Sequence, residues 1–173
     1  MSVLLQSWNL DTLLGPMLAI SDEEALYFLA FSDQKGIPRE IDQLQKRTKS
    51  VVVSEKTKPI LSIERELTEY FNGELHTFET PVHLFGSPFQ KSVWDTLIPI
   101  PYGETRSYSD QARAIGKPSA CRAVAGANAA NRISILIPCH RIINQSGALG
   151  GYAGGIQRKK WLLQHEEQYK GAK

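Results

Sequence analysis

Apolar and polar positions alternate differently in the two halves of this 173-residue chain, and the difference predicts two differently built regions. In the first half, short apolar runs bounded by polar turns predict strands over residues 13–20 and 25–31, with the acidic turn 21–24 between them. Val51, Val52 and Val53 predict a short strand inside a polar stretch, and residues 77–84 predict another. A helix is expected from Pro38 into Gln45, with the proline at its first position. A longer helix opens at Pro59, where Ile60, Leu61, Ile63, Leu67, Tyr70 and Phe71 recur at helical spacing and Gly73 stands just past the end. Gly86, Ser87 and Pro88 punctuate the chain, which places a boundary between residues 1–85 and 86–173.

The second half predicts mainly helices. Ser87 as N-cap and Pro88 at the first position start one that carries Phe89, Val93, Trp94 and Leu97 on one face. Residues 107–115 predict a second helix stopped by Gly116, and 118–127 a third, so that two short helices joined by a tight turn resemble a helix-turn-helix. Ile133, Ile135 and Ile137 alternate with Ser134 and Leu136, which predicts a buried strand or extended segment ended by Pro138. A glycine-rich loop at 147–155 precedes a final helix over 157–168. No Gly-Lys-Ser/Thr follows the glycines, which argues against a phosphate loop.

Charge sharpens the division. Residues 1–85 hold 8 Lys and Arg against 13 Asp and Glu, whereas 86–173 hold 12 against 5, so a net of −5 faces a net of +7. A basic C-terminal half of this size suits a nucleic-acid partner. Two cysteines, Cys121 and Cys139, are too few for a disulfide framework and suggest a reducing compartment. No basic, apolar leader opens the sequence and no run approaches a membrane span, so the expectation is a cytoplasmic protein, or a nuclear one in a nucleated cell, with no membrane partner.

The candidate chemistry centres on Cys139, which follows the break at Pro138 and adjoins His140 and Arg141. A free thiol with pKa near 8.5 is only about 3 per cent thiolate at neutral pH, so its neighbours decide whether it reacts. In the last helix Glu166 shares the face of Leu162 and Leu163, and a carboxylate on a core face needs a partner. His140 is the best candidate, giving Cys139, His140 and Glu166 the logic of nucleophile, base and orienter. The third helix is built of small residues from which only Arg122 projects. One long cation on such a face suits insertion into a narrow groove or base stack, and the same face equally suits packing against another helix.

The segments Ile137-Pro138-Cys139-His140-Arg141-Ile142, Gly151-Tyr152-Ala153-Gly154-Gly155 and Trp161-Leu162-Leu163-Gln164-His165-Glu166 resemble the O6-alkylguanine-DNA alkyltransferases. Phe89 through Trp94, Tyr102-Gly103-Glu104 and Arg122-Ala123-Val124 match the same family in the expected order. The resemblance covers nearly all of 86–173 and is weak over 1–85. It implies an α+β protein in which a small N-terminal α/β, ribonuclease-H-like structural domain precedes a mainly helical winged-helix/helix-turn-helix domain for DNA binding and alkyl acceptance.

By that resemblance Cys139 would take the alkyl group from guanine O6 in one irreversible displacement. His140, through water, would take the thiol proton, Glu166 would hold the imidazole, Asn131 would tie the turn before the cysteine, and Tyr108 would donate to the purine. Arg122 would fill the gap left when the nucleotide rotates out through the minor groove. Tyr108, Ser109, Lys117 and Gln145 would contact the DNA backbone, and Ile142, Tyr152 and Ala153 would line the substrate pocket. Some relatives carry serine where this chain has Ala153, which leaves room for bulkier alkyl groups. No cofactor or metal is expected: no cysteine precedes residue 121, and His76 and His83 alone cannot complete a four-ligand site. The implied partner is double-stranded DNA containing O6-alkylguanine, with O4-alkylthymine as a further substrate, and the chain is expected to act as a monomer that can cluster on DNA. Rival expectations are a lesion sensor without chemistry, a cysteine hydrolase that turns over, and a plain DNA-binding module.

Overall fold

The computed structural model describes residues 3–171. The chain divides into two compact units, Met1–His83 and Leu84–Lys173.

The first unit is a four-stranded sheet in the order β3-β2-β1-β4, carrying two helices. β1 (Val3–Leu10), β2 (Met17–Ser21) and β3 (Leu26–Phe31) form an antiparallel meander, and α1 (Ile37–Thr48) returns the chain so that β4 (Ser50–Ser54) lies parallel to β1. Every residue of β3 is buried, which explains its unbroken apolar run. α2 (Lys58–Phe71) is capped by Thr57, whose hydroxyl accepts from the Ile60 amide and also meets Ser21 at 2.5 Å. Ile60, Ile63, Leu67 and Tyr70 form its buried face, and Gly73 follows in the left-handed region at φ 79°.

Three sequence expectations need correction here. β1 was not anticipated: its Val3 and Leu4 are exposed at the sheet corner while Leu5 and Gln6 are buried, so no clean alternation marks it. β2 begins at Met17 rather than 13, because the Thr12 hydroxyl donates to Gly15 O at 2.6 Å and closes a turn. Residues 77–84 form no strand; Val82 makes one isolated bridge to Leu26. Pro81 has no N–H to give a ladder, and the amides of Glu79 and Thr80 donate instead to the Glu66 carboxylate.

In the second unit, α3 (Pro88–Asp95) opens with a reciprocal capping box between Ser87 and Gln90. Trp94 is buried and its indole N–H donates to Ala127 O at 2.8 Å. A two-residue strand, β5 (Arg106–Ser107), runs into α4 (Tyr108–Ala114), which Ser107 caps with Asp110. Gly116, at φ 74°, ends that segment, and α5 (Cys121–Ala129) follows. Val93, Ala112, Val124 and Ala127 pack together between these three helices, so α5 does use part of its small-residue face for packing. The chain closes with β6 (Ile142–Ile143), paired parallel to β5, and α6 (Ile156–Tyr169).

The expected strand over 133–137 is absent. Ile135 stands at φ 72°, in the left-handed region that β-branched residues avoid, and the Ile137 amide donates back to Ile133 O at 3.1 Å. The isoleucines alternate because the segment coils through the core as successive turns, burying Ile133, Ile135 and Ile137.

Candidate active site

Cys139 opens a single 3-10 turn, Cys139–Arg141, directly after the coiled isoleucine segment. One side chain fixes that geometry. Asn131 donates from Nδ2 to Ile137 O at 2.8 Å and to Cys139 Sγ at 3.3 Å, while its Oδ1 accepts from the Ile133 amide at 3.0 Å. The carboxamide therefore holds both the turn and the sulfur. Burial pushes the Cys139 thiol above its ordinary value, against the Asn131 hydrogen bond and the positive charge of Lys159, which favour the thiolate. At rest the group is a thiol, and a base has to take its proton.

His140 is fully buried and meets Glu166 Oε2 through Nε2 at 2.7 Å. An ionised carboxylate only accepts, so Nε2 carries the hydrogen and Nδ1 keeps a lone pair. That Nδ1 is buried with no hydrogen-bond partner among the described residues. Burial lowers the His140 pKa, Glu166 opposes that, and Arg141 and Lys159 reinforce it. The ring is thus a neutral base at pH 7.

Arg141 stands apart from its expected place beside the sulfur. Its Nε and Nη2 donate to Glu166 Oε1 and Oε2 at 2.8 and 3.1 Å, and Nη1 donates to Ile100 O at 2.8 Å. The Gly103 amide adds a contact to Oε1 at 3.3 Å. Burial alone would raise the Glu166 pKa, but His140 and Arg141 outweigh it and hold the carboxyl far below its usual range. Glu166 is permanently charged, and one imidazole and one guanidinium are fixed by it at once.

Lys159 completes the buried set, and sequence reasoning missed it. It is fully buried on α6, with Nζ donating to Gly151 O at 3.0 Å and lying 5.8 Å from the Tyr108 ring centroid. Burial pulls its pKa down to about 8, against the attraction of Cys139. The signal was present: Lys159 lies seven residues before Glu166 and three before Leu162, on the same helix face.

Cys139 lines a cavity of about 240 Å³, together with Tyr108 from α4, Ala125, Asn128 and Ala129 from α5, and Gly151, Tyr152 and Ala153 from the glycine loop. Gly150 lets that loop approach, since a Cβ there would stand 2.9 Å from the Tyr108 hydroxyl and its φ is 72°. Burial raises the Tyr108 phenol pKa, as does Cys139. Tyr152 is raised well above its ordinary value by burial, with Ser134 beside its hydroxyl. Asn128 exchanges side-chain hydrogen bonds with Gln111 at 2.6 and 3.2 Å, which locks α4 to α5 at the cavity wall. Ile142 is buried in β6, outside the cavity lining.

Of the remaining predicted contacts, Arg122 is exposed on the first turn of α5. Ser109 donates to Gln145 Oε1 at 3.3 Å and lies 3.7 Å from Cys121 Sγ. Lys117 is exposed and stands over the Phe89 ring at 5.3 Å. Among the described residues no three His, Cys, Asp or Glu side chains converge as metal ligands, and no helix is long and apolar enough to cross a membrane.

A buried cysteine with an imidazole base, set behind a short helix pair in a basic unit, defines a thiol acceptor on a DNA-binding scaffold. The family described as 6-O-methylguanine DNA methyltransferase matches twice, its ribonuclease-like domain over residues 9–84 and its DNA-binding domain over 88–168. This chain belongs to that family. A methylated-DNA–protein-cysteine methyltransferase of Shigella flexneri is 40% identical over 160 residues, covering 91% of this chain and 93% of that protein. One from Methanosarcina barkeri is 41% identical, covering 91% and 94%. Among solved structures, the Mycobacterium tuberculosis protein in complex with DNA is 38% identical with a TM-score of 0.80, covering 96% of this chain and 94% of that one.

Proposed function

We propose that this chain repairs O6-alkylguanine in double-stranded DNA by moving the alkyl group onto Cys139, once per molecule. The observation that carries this is a thiol lining a cavity of nucleobase dimensions, followed in sequence by a buried imidazole whose Nδ1 lone pair is unused. The thiol proton passes to His140 Nδ1, by way of a water, and Glu166 stabilises the imidazolium. The sulfur then attacks the alkyl carbon: the S–C bond forms, the C–O6 bond breaks, and the purine takes up a proton, with Tyr108 as its donor. A thioether is a poor substrate for displacement, so the group stays and the molecule is spent.

Reaching the lesion inside a duplex requires extrusion of the nucleotide, at a cost of a few kcal/mol. Exposed Arg122 occupies the gap from the minor-groove side, and Ser109, Lys117 and Gln145 meet the backbone nearby. Ile142 backs the pocket that Tyr152 and Ala153 line. O4-alkylthymine is a second substrate of the same pocket. Residues 1–85 serve as a structural domain, and the chain works in the cytoplasm, or in the nucleus where there is one.

Intact mass before and after incubation with O6-methylguanine DNA tests the central step. Each chain is expected to gain one CH2 unit and then stop, with no gain in Cys139→Ser. Continued turnover, or methylation elsewhere, would overturn it. Arg122→Ala is expected to slow repair of duplex far more than reaction with a free O6-alkylguanine base; equal losses would refute its role in the duplex.

A further inference from the structure

Among the polar side chains that line the cavity, Tyr108, Cys139 and Tyr152 already belong to the proposed chemistry, whereas Asn128 only joins two helices. It stands on α5 three residues after Ala125 and one before Ala129, which also line the cavity, so it is the polar group on an otherwise methyl-covered wall. Asn128 is 6% exposed, and its amide brings two hydrogens and one carbonyl oxygen into the interior.

A chain of hydrogen bonds fixes which way that amide faces. The Thr96 hydroxyl lies 2.6 Å from Val93 O, and a carbonyl only accepts, so the one hydrogen of the hydroxyl is spent there. Toward Gln111, at 3.0 Å, Thr96 therefore accepts, and the facing atom is Nε2. Gln111 Oε1 then accepts from Asn128 Nδ2 at 2.6 Å, while Gln111 Nε2 also donates to Asn128 Oδ1 at 3.2 Å. One hydrogen of Asn128 Nδ2 is used in this reciprocal pair, and the second has no acceptor among the described residues. Thr96 lies on the flank that carries Gln111 Nε2 and Asn128 Oδ1, so the spare hydrogen lies on the opposite flank. A buried N–H without an acceptor opposes folding more than a spare carbonyl lone pair does, and this one belongs to a residue of the cavity wall.

We propose that Asn128 reads the extruded base, donating its second Nδ2 hydrogen to a ring nitrogen of O6-alkylguanine other than the one Tyr108 serves. This contact rests on the repair reading above and adds a residue to it. Alkylation at O6 removes the hydrogen from N1, so N1, N3 and N7 of the lesion are all acceptors. As the C–O6 bond breaks, negative charge spreads from the oxygen over the purine ring. A donor already fixed on a ring nitrogen stabilises that charge without having to reorient. Gln111 and Thr96 are positioning residues, holding the amide so that its N–H rather than its carbonyl is presented. A base lacking the acceptor leaves the donor buried and unpaired, so the contact selects as well as accelerates.

Single-turnover methyl transfer from four duplexes tests this: one carries O6-methylguanine, and the others its 1-deaza, 3-deaza and 7-deaza analogues, each lacking one ring acceptor. Every variant is compared with wild type on the same duplex, so that the pairing and leaving ability of the analogue cancel. Asn128→Ala is expected to react about tenfold more slowly than wild type on the parent duplex. That gap should close to within about twofold on one analogue and persist on the other two. Asn128→Ala also strands Gln111 Oε1, so a second variant, Asn128→Leu with Gln111→Met, removes both amides together and should close its gap on the same analogue. Tyr108→Phe should close its own gap on a different one. A gap of equal size on all four duplexes means that Asn128 holds only water or the helix pair, and overturns the proposal. No gap on the parent duplex, or closure on one shared analogue for Asn128 and Tyr108, does the same. Methyl gain by the wild type on the parent duplex reports the repair reading separately.

Discussion

Two buried glutamates, one in each unit, show how differently the halves use the same side chain. Glu66 on α2 is 3% exposed and accepts only from neutral donors: the amides of Glu79 and Thr80, and the Thr80 hydroxyl. It replaces a missing strand ladder and holds a loop. Glu166 on α6 is fully buried and accepts from a ring and a guanidinium. Around it the second unit buries His140, Arg141, Lys159 and His165, while Glu66 is the one charged residue buried among those described in the first. Burying charge opposes folding unless it is paired, so its concentration in one unit marks where function has overridden packing.

The largest effect should come from Glu166→Ala, which leaves an imidazole and a guanidinium buried without their anion. We expect a loss of about 3–5 kcal/mol in stability and a fall of about 10²–10⁴ in single-turnover alkyl transfer, read by denaturant unfolding and quench-flow. A stable, active protein would erase the contrast with Glu66. Glu66→Gln is expected to cost about 1–3 kcal/mol, because amide and hydroxyl donors lose part of a charged acceptor. Transfer per folded molecule should stay within about twofold of wild type, so any larger slowing means the two carboxylates are not separable in role.

Lys159→Met sharpens the comparison from the other side. It is expected to slow transfer about tenfold by removing the cation that favours the thiolate, while leaving the melting temperature equal or higher, since a buried charge is replaced by an isosteric apolar chain. The sign with pH follows from its pKa, lowered from 10.5 to about 8. Between those values the unfolded chain binds more protons, so wild-type stability rises with pH. The advantage of the methionine variant should therefore be greatest below pH 8 and shrink toward 10.5; an advantage that grows would refute the assignment. Glu166 runs the opposite way. Its contribution is present above its ordinary 4.5 and is lost as pH falls toward its depressed folded value. The smallest effect is expected from Ala153→Ser, which narrows the pocket. It should reduce repair of O6-butylguanine more than of O6-methylguanine, and equal rates for both adducts would remove alkyl size from the account.

The parts of this site that were legible in sequence were those written locally. Cys139 and His140 are neighbours, Glu166 lies on a helix face defined by Leu162, and Ser87 and Pro88 announce the helix they begin. What could not be read depended on where a long side chain ends. Arg141 adjoins the sulfur in sequence, yet its guanidinium lies on the carboxylate from α6. Lys159 has the residue type of a solvated surface and reaches Gly151 O in the interior. The isoleucine alternation at 133–137 suggested a strand because burial alone gives that pattern, and nothing local reveals the left-handed Ile135 that bends it into turns. β1 hid for the converse reason, its first two apolar residues, Val3 and Leu4, lying exposed at a corner.

The shortest sheet in the molecule has a mechanical consequence. Ser107 ends β5 and also caps α4, while Ile142 begins β6 immediately after the turn that holds the reactive sulfur. The ladder Arg106–Ile142 and Ser107–Ile143 thus couples the start of α4 to the turn that carries the thiol through two rungs. A displacement at the start of α4 is therefore carried to the segment that holds the nucleophile by backbone hydrogen bonds alone, so the two cannot shift independently.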